Sequence, residues 1–325
     1  MDKAIRHWRV IIAMAVLAAA SFGAYAQTWP TKPIRVLVPF APGGTADIVA
    51  RLVSAKVTEE LGQQLVIENR GGAGGTIATA MAAKAAPDGY TVLAAHQGVA
   101  FNVTLYTKLP FDTVRDLLPL AIIGPTPNVL VVTNSFAPKT VQEFLAYARE
   151  HPGAIAYGSG GVGSAGHLSV ELLEGMTRTK LTHVPYKGSG PALADLVSGQ
   201  IQAMILTLPA AVSYIKGGKV RAIATSGAKR SPAMPDLPTI AEAGVAGYEY
   251  APWYGWFIPA GTPRPIVERF NQAINKAISA PALREQFSAL GLEPEPMSQE
   301  KFAELFSADI TRWGGIIRQL GLKAD

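Results

Sequence analysis

The sequence predicts an α/β protein of two lobes with a cleft between them, and three observations carry that prediction. Short β-rich runs alternate with helical stretches over most of the chain, the pattern of parallel sheets with helices on both faces. The length is more than one core usually serves, since single cores stop growing at roughly 250–300 residues. Two turn-rich passages, Gly124-Pro125-Thr126-Pro127 and 231–238 with its three prolines, then offer a way out of the first lobe and a way back.

The chain opens with an export signal, 1–26. Lys3, Arg6 and Arg9 outweigh Asp2, an apolar run follows over 10–20, and Ala24-Tyr25-Ala26 puts small residues at the cleavage-determining positions. The run is shorter than the about 20 residues that span a bilayer. The mature chain is therefore expected to start at Gln27 and to be free in the periplasm. Cysteine is absent, so neither a disulfide framework nor a lipid-bearing thiol is expected. Removing the signal takes three basic residues and one acidic, and the net charge of +5 falls to +3. With no Lys/Arg run interleaved with aromatics, nucleic acid is not an expected partner.

Strands are predicted over 34–39, 65–68, 90–95, 129–133, 154–157, 181–185, 201–206 and 220–225. Helical periodicity falls between them at 48–61, 76–84, 141–149, 168–173 and 192–197. The C-terminal part differs, with long helices over 265–290 and 298–320 and little strand between. Such an end covers a sheet and does not build one. Lobe 1 is therefore expected to be 27–126 plus 232–325, lobe 2 to be 127–231, and the two crossings to form a hinge.

Three glycine-rich loops are candidates for chemistry. In Pro39-Phe40-Ala41-Pro42-Gly43-Gly44-Thr45-Ala46-Asp47 a strand ends and an amphipathic helix begins. The first turn of a helix has unpaired N–H donors and a partial positive charge, so this loop suits a carboxylate or phosphate without any basic side chain. The plain alternative is a strand-to-helix turn with Asp47 as its cap. For the second loop, Arg70-Gly71-Gly72-Ala73-Gly74-Gly75, close backbone packing is the better reading. The third, Ser159 to Gly166, contains GxGxxG twice, from Gly158 and from Gly161, after a strand and at the start of a helix. A dinucleotide site also wants an acid at the end of the next strand. Here that strand runs into Tyr186 and Lys187, so Ser159, Gly163 and Ser164 read as a second anion site and no cofactor is expected.

Catalytic patterns are thin. There is no GxSxG elbow, cysteine nucleophile or P-loop. His167 and Glu171 share a helix face, but a metal needs a third and fourth ligand and no convincing set is at hand, so no metal is expected. His96, followed by Gln97, ends a strand, where open α/β sheets place their ligands; a satisfied histidine is as good a reading there. An enzyme is not expected. The rival from another class is an exported hydrolase using His96 or His167, and a further one is a receptor that presents its ligand to a signalling partner.

Short motifs run through nearly the whole mature chain. They include Trp29-Pro30-Thr31-Lys32-Pro33-Ile34-Arg35, Val38 to Gly44, Glu68-Asn69-Arg70, Gly72-Ala73-Gly74-Gly75 and Pro87-Asp88-Gly89-Tyr90-Thr91. Further on come Gly158-Ser159, His183-Val184-Pro185-Tyr186-Lys187-Gly188, Gly199-Gln200, Pro238 to Gly244 and Pro259-Ala260-Gly261-Thr262-Pro263. In their order and number these motifs resemble those of the Bug family of periplasmic receptors of tripartite tricarboxylate transporters, and order and number make the match specific.

The resemblance implies a type II-like, two-lobed periplasmic binding protein, expected as a monomer, that traps a small organic carboxylate by hinge closure. It implies a large and a small membrane subunit as partners, and loops from Phe40 and Ser159 facing each other across the cleft. The ligand-binding residues so expected are Phe40, Ala41, Gly43, Gly44, Asp47, His96, Gln97, Ser159, Gly163, Ser164 and Thr207. Two positions depart from the family's habit: His96 where small residues are usual, and Leu206 where an acid is frequent. Both argue against a ligand ammonium group and favour an amine-free acid, with an aromatic dicarboxylate such as terephthalate as one fit.

Overall fold

A computed structural model describes residues 29–324; the expected signal and the start at Gln27 lie outside the described residues. The compact unit that begins at Lys32 starts with β1 (Ile34–Val38), α1 (Thr45–Leu61), β2 (Leu65–Asn69), α2 (Thr76–Ala83), β3 (Thr91–His96), α3 (Gly98–Leu105), α4 (Thr113–Asp116) and β4 (Leu117–Pro125). The middle section is β5 (Asn128–Val132), α5 (Val141–Glu150), β6 (Ala156–Ser159), α6 (Ala165–Thr177), β7 (Thr182–Pro185), α7 (Ser189–Ser198), β8 (Ala203–Thr207), α8 (Leu208–Lys216) and β9 (Arg221–Thr225). Last come β10 (Trp253–Pro259), α9 (Arg264–Ser279), α10 (Pro281–Leu290) and α11 (Gln299–Gln319).

Two sheets result, ordered β2-β1-β3-β10-β4 and β7-β6-β8-β5-β9. Both are mixed, whereas the alternation of strands and helices predicts parallel sheets. In the first, β1 is parallel to β2 and β3 while β10 is antiparallel to β3 and β4. In the second, β6 is parallel to β7 and β8 while β5 is antiparallel to β8 and β9. The reversed strand is in each case the one that enters from the other sheet. Asn128 of β5 pairs with Thr207 at the end of β8, and Tyr254 of β10 pairs with His96 at the end of β3. Each passage thus delivers its strand to the edge where the neighbours finish, so that strand runs against them.

Burial explains why these residues form these elements. Strands β3, β5 and β8 are buried along their whole length, and read as continuous apolar runs rather than as alternation. On α1, Val49, Ala50, Val53 and Val57 form the buried stripe. Gly62 ends that helix in the left-handed region (φ 69°), its N–H donating to Thr58 O. On the first sheet, α11 buries Phe302, Phe306, Trp313 and Ile317 in one cluster with Phe101, Trp253 and Phe257. Each such side chain contributes about 1.5–3 kcal/mol by leaving water, so the C-terminal helix is an integral part of the first core.

Two further expectations differ from what is observed. The single helix predicted over 265–290 is the pair α9 and α10, because Ala280 is extended (φ −64°, ψ 131°) ahead of Pro281. The segment after β9 also stays with the second sheet. Met234 and Leu237 pack on one of its faces, and Ile240, Ala243, Val245 and Tyr248 on the other. Tyr250 is the first aromatic to join the first core, so the return falls between Tyr248 and Tyr250, later than a break at 231–232. The three prolines shape a turn-rich stretch that still has apolar side chains to bury on the second sheet.

Candidate functional site

The carboxyl ends of β1 and β3 face those of β6 and β8 across a narrow cavity of about 30 Å³. Its place outside the carboxyl ends of the strands is where open α/β sheets bind ligands.

From the first sheet come Phe40, Gly44, Thr45, Ala46, His96 and Tyr254. The loop after β1 is held from behind. Asp47, buried, accepts from Gly43 N–H (3.1 Å), Arg51 Nε (3.0 Å) and Asn69 Nδ2 (3.0 Å), and Asn69 also donates to Phe40 O (3.0 Å). Burial alone would raise the Asp47 pKa, but these donors outweigh it and hold the carboxyl below its ordinary value. Gly43 turns the chain in the left-handed region (φ 83°), which a side chain rarely adopts.

His96 is buried at the end of β3, its ring stacked on Phe40 (centroids 4.9 Å apart, interplanar 17°) and edge-on to Tyr254 (6.0 Å). Gly98 N–H donates to Nδ1 (2.7 Å). Burial draws the His96 pKa down to about 4, so at neutral pH the ring is uncharged and carries its one proton on Nε2.

From the second sheet come Ser159 at the end of β6 and Gly160 after it, Ser164, Ala165 and Gly166 at the start of α6, Ser189 opening α7, and Met204 to Thr207 ahead of α8. Ser164 is the N-cap of α6, accepting from His167 N–H (3.3 Å). Thr207 Oγ1 lies 2.5 Å from Thr45 Oγ1 across the cavity floor and accepts from Tyr254 OH (3.3 Å). The starts of four helices, α1, α6, α7 and α8, therefore converge on one space. Among the described residues, no Asp, Glu, Lys or Arg side chain lines it. At the rim the two halves meet through backbone, with Ala41 N–H donating to Lys187 O (3.0 Å).

Of the residues singled out from sequence, Phe40, Gly44, His96, Ser159, Ser164 and Thr207 line the cavity. Five do not line it, and each has at least one polar group engaged elsewhere. Ala41 and Gly43 donate as described, and Asp47 braces the loop. Gln97 Nε2 donates to Asp309 Oδ2 (2.6 Å). Gly163 N–H donates to His167 Nδ1 (3.3 Å). Thr45, Ser189 and Tyr254 line the cavity and were missed. Tyr254 sits in a conspicuous aromatic segment, whereas nothing in the sequence around Ser189 marks it. His167 Nε2 faces Glu171 Oε1 at 3.4 Å, and among the described residues no group of three or more His, Cys, Asp or Glu is arranged to hold a metal.

A family profile described as tripartite tricarboxylate transporter family receptor matches residues 49–322. Protein BugT of Bordetella pertussis is 35% identical over 316 residues, covering 97% of this chain and 96% of its own. Among solved structures, R. palustris Rpa4515 with adipate superposes with a TM-score of 0.88 at 38% identity, covering 91% of this chain and 99% of that one. MatC (Rpa3494) from Rhodopseudomonas palustris with bound malate gives 0.85 at 37% identity, covering 89% and 100%.

Proposed function

The chain belongs to the tripartite tricarboxylate transporter receptors, a family of solute-binding receptors and not of enzymes, and on that premise we propose that its ligand is an amine-free dicarboxylate. One observation carries this reading: four helix starts and a set of uncharged donors surround a cavity with no charged side chain. A carboxylate is stabilised there by N–H groups and partial positive charge without needing a cation. An ammonium group entering the same space would meet the positive ends of those helices and no acid to pair with, and desolvating it unpaired is costly. Adipate and malate, the ligands of Rpa4515 and MatC, fit this chemistry. So does terephthalate, for which the stacked Phe40 and His96 rings and the edge of Tyr254 supply an aromatic wall.

In this reading the Phe40–Gly44 loop and the start of α1 hold one carboxylate, and His96, Ser159, Ser164 and Thr207 hold the other. Ala41, Gly43, Asp47, Gln97 and Gly163 shape these contacts from behind. The receptor is exported, matures at Gln27, works as a monomer in the periplasm and hands its ligand to a large and a small membrane subunit. A thermal-shift panel tests the ligand class, since a ligand that binds only the folded state raises the melting temperature by mass action. Adipate, malate, succinate or terephthalate should raise it, and glutamate and aspartate should not. A shift with the amino acids alone would reject the amine-free reading.

A further inference from the structure

Behind the cavity wall, Ser159 meets a stack of rings. His183 of β7 lies between Tyr157 (centroids 4.8 Å apart, interplanar 15°) and His167 (4.4 Å, 27°), with its Nε2 2.6 Å from Ser159 Oγ. His167 accepts at Nδ1 from Gly163 N–H and so carries its proton on Nε2, toward Glu171 Oε1. Tyr157 OH donates to the same oxygen of Glu171 (3.3 Å). His183 is thus faced by two rings, one carboxylate already served by two donors, and one hydroxyl. Burial pulls its pKa down to about 4, so its ring holds a single proton at neutral pH.

The position of that proton decides what Ser159 offers the cavity. A serine hydroxyl has two lone pairs and one proton. Gly161 N–H takes one lone pair of Ser159 (3.0 Å). If Ser159 gives its proton to His183, the cavity meets a bare lone pair, which repels a carboxylate. If His183 Nε2–H donates to Ser159 instead, both lone pairs are filled. The hydroxyl proton is then left for Gly161 O (3.2 Å) or for an anion in the cavity. We propose that His183 is a positioning residue for ligand binding: its Nε2–H tautomer fills the remaining lone pair of Ser159 and makes that hydroxyl a donor to the ligand carboxylate. This rests on the dicarboxylate reading above.

The test is calorimetric titration of the wild type, Ser159→Ala, His183→Phe, His183→Gln and the Ser159→Ala/His183→Phe double variant, with circular dichroism to check folding. The probe is whichever of adipate, malate, succinate and terephthalate binds the wild type most tightly. His183→Phe keeps a ring in the stack and removes the N–H, whereas His183→Gln supplies an amide N–H in its place. Each of Ser159→Ala and His183→Phe should weaken binding about ten- to a hundredfold, the loss of one hydrogen bond to a charged group. The double variant should be no weaker than Ser159→Ala, and His183→Gln should recover most of the affinity. In ¹⁵N-histidine-labelled wild type, adding the probe should move His183 toward the Nε2–H tautomer. Losses that multiply in the double variant, or a ligand-bound His183 in the Nδ1–H form, overturn this inference alone. The tautomer measurement decides even where a variant fails to fold. If none of the four acids binds the wild type, the dicarboxylate reading falls and takes this inference with it.

Discussion

Because Gly98 N–H occupies Nδ1 of His96 and Phe40 covers one ring face, this cavity-lining imidazole is uncharged and has its one N–H on Nε2. The consequence is a binding constant that does not change between about pH 6 and 8, where a protonated imidazole donor would lose affinity as pH rises. His96→Phe should weaken dicarboxylate binding about ten- to a hundredfold by removing that donor. A titration series over that pH range in wild type and variant checks both. Stability is another matter. His96 and His183 have folded pKa values of about 4 against 6.5, so between those values the unfolded chain binds more protons, and stability is lost as pH falls through the window. Glu174 opposes them: burial pushes its carboxyl up to about 7 from 4.5, so it costs stability as pH rises through that range. Glu174→Gln should therefore gain on the wild type as pH goes from 4.5 to 7, read from denaturation midpoints; a constant difference would contradict the shift. Residue roles were only half legible in sequence. Asp47 as a loop brace and Asp47 as a ligand contact need the same acid in the same first turn, and only the positions of Arg51 and Asn69 decide between them.

At the scale of elements, the site depends on α11, which contributes nothing to the cavity itself. Asp309 on this helix accepts from Gln97 Nε2 and from Trp253 Nε1, both at 2.6 Å, and so ties down the loop after His96 and the strand that carries Tyr254. Asp309→Leu strands two buried donors, each at about 1–3 kcal/mol. Its melting temperature should fall by several degrees and its dicarboxylate affinity should drop with it. Asp309→Asn, which keeps an acceptor, should lose less of both, and equal losses in the two variants would reject the latch. Continuous apolar runs between turns revealed strands such as β1, β3 and β8, whereas β4 and β10 were not predicted. Strand β10 escaped because its run of aromatics acquires strand character only from β3 and β4, paired with it from more than a hundred residues away in the chain. The mixed sheets escaped for a related reason: strand direction is set by where the passages enter, which local periodicity does not record.

For the whole molecule, the glycine-rich loops were visible as close approaches, and the structure shows what they approach. A Cβ on Gly190 would lie 2.6 Å from Pro42 O across the rim, and one on Gly71 2.6 Å from Lys187 O. Gly190 lies in the first turn of α7 with ordinary backbone angles, so alanine there suits the helix by up to about 1 kcal/mol over glycine. The collision is with Pro42 across the rim, and a rim that opens would relieve it. Gly190→Ala should accordingly be at least as stable as the wild type without ligand, yet bind at least about tenfold more weakly, with X-ray scattering showing less contraction when ligand is added. Wild-type affinity in this variant would mean that the rim contact is not needed for capture. The central proposal is a ligand with two carboxylates held by uncharged donors from the two sheets. The most direct test is a crystal structure of the mature protein with the dicarboxylate that gives the largest thermal shift. One carboxylate should lie against the Gly44–Ala46 turn at the start of α1, and the other within hydrogen-bond reach of His96 Nε2 and the Ser159–Ser164 loop. A ligand bound outside this cavity, or one whose charge is met by a Lys or Arg side chain, would contradict the account.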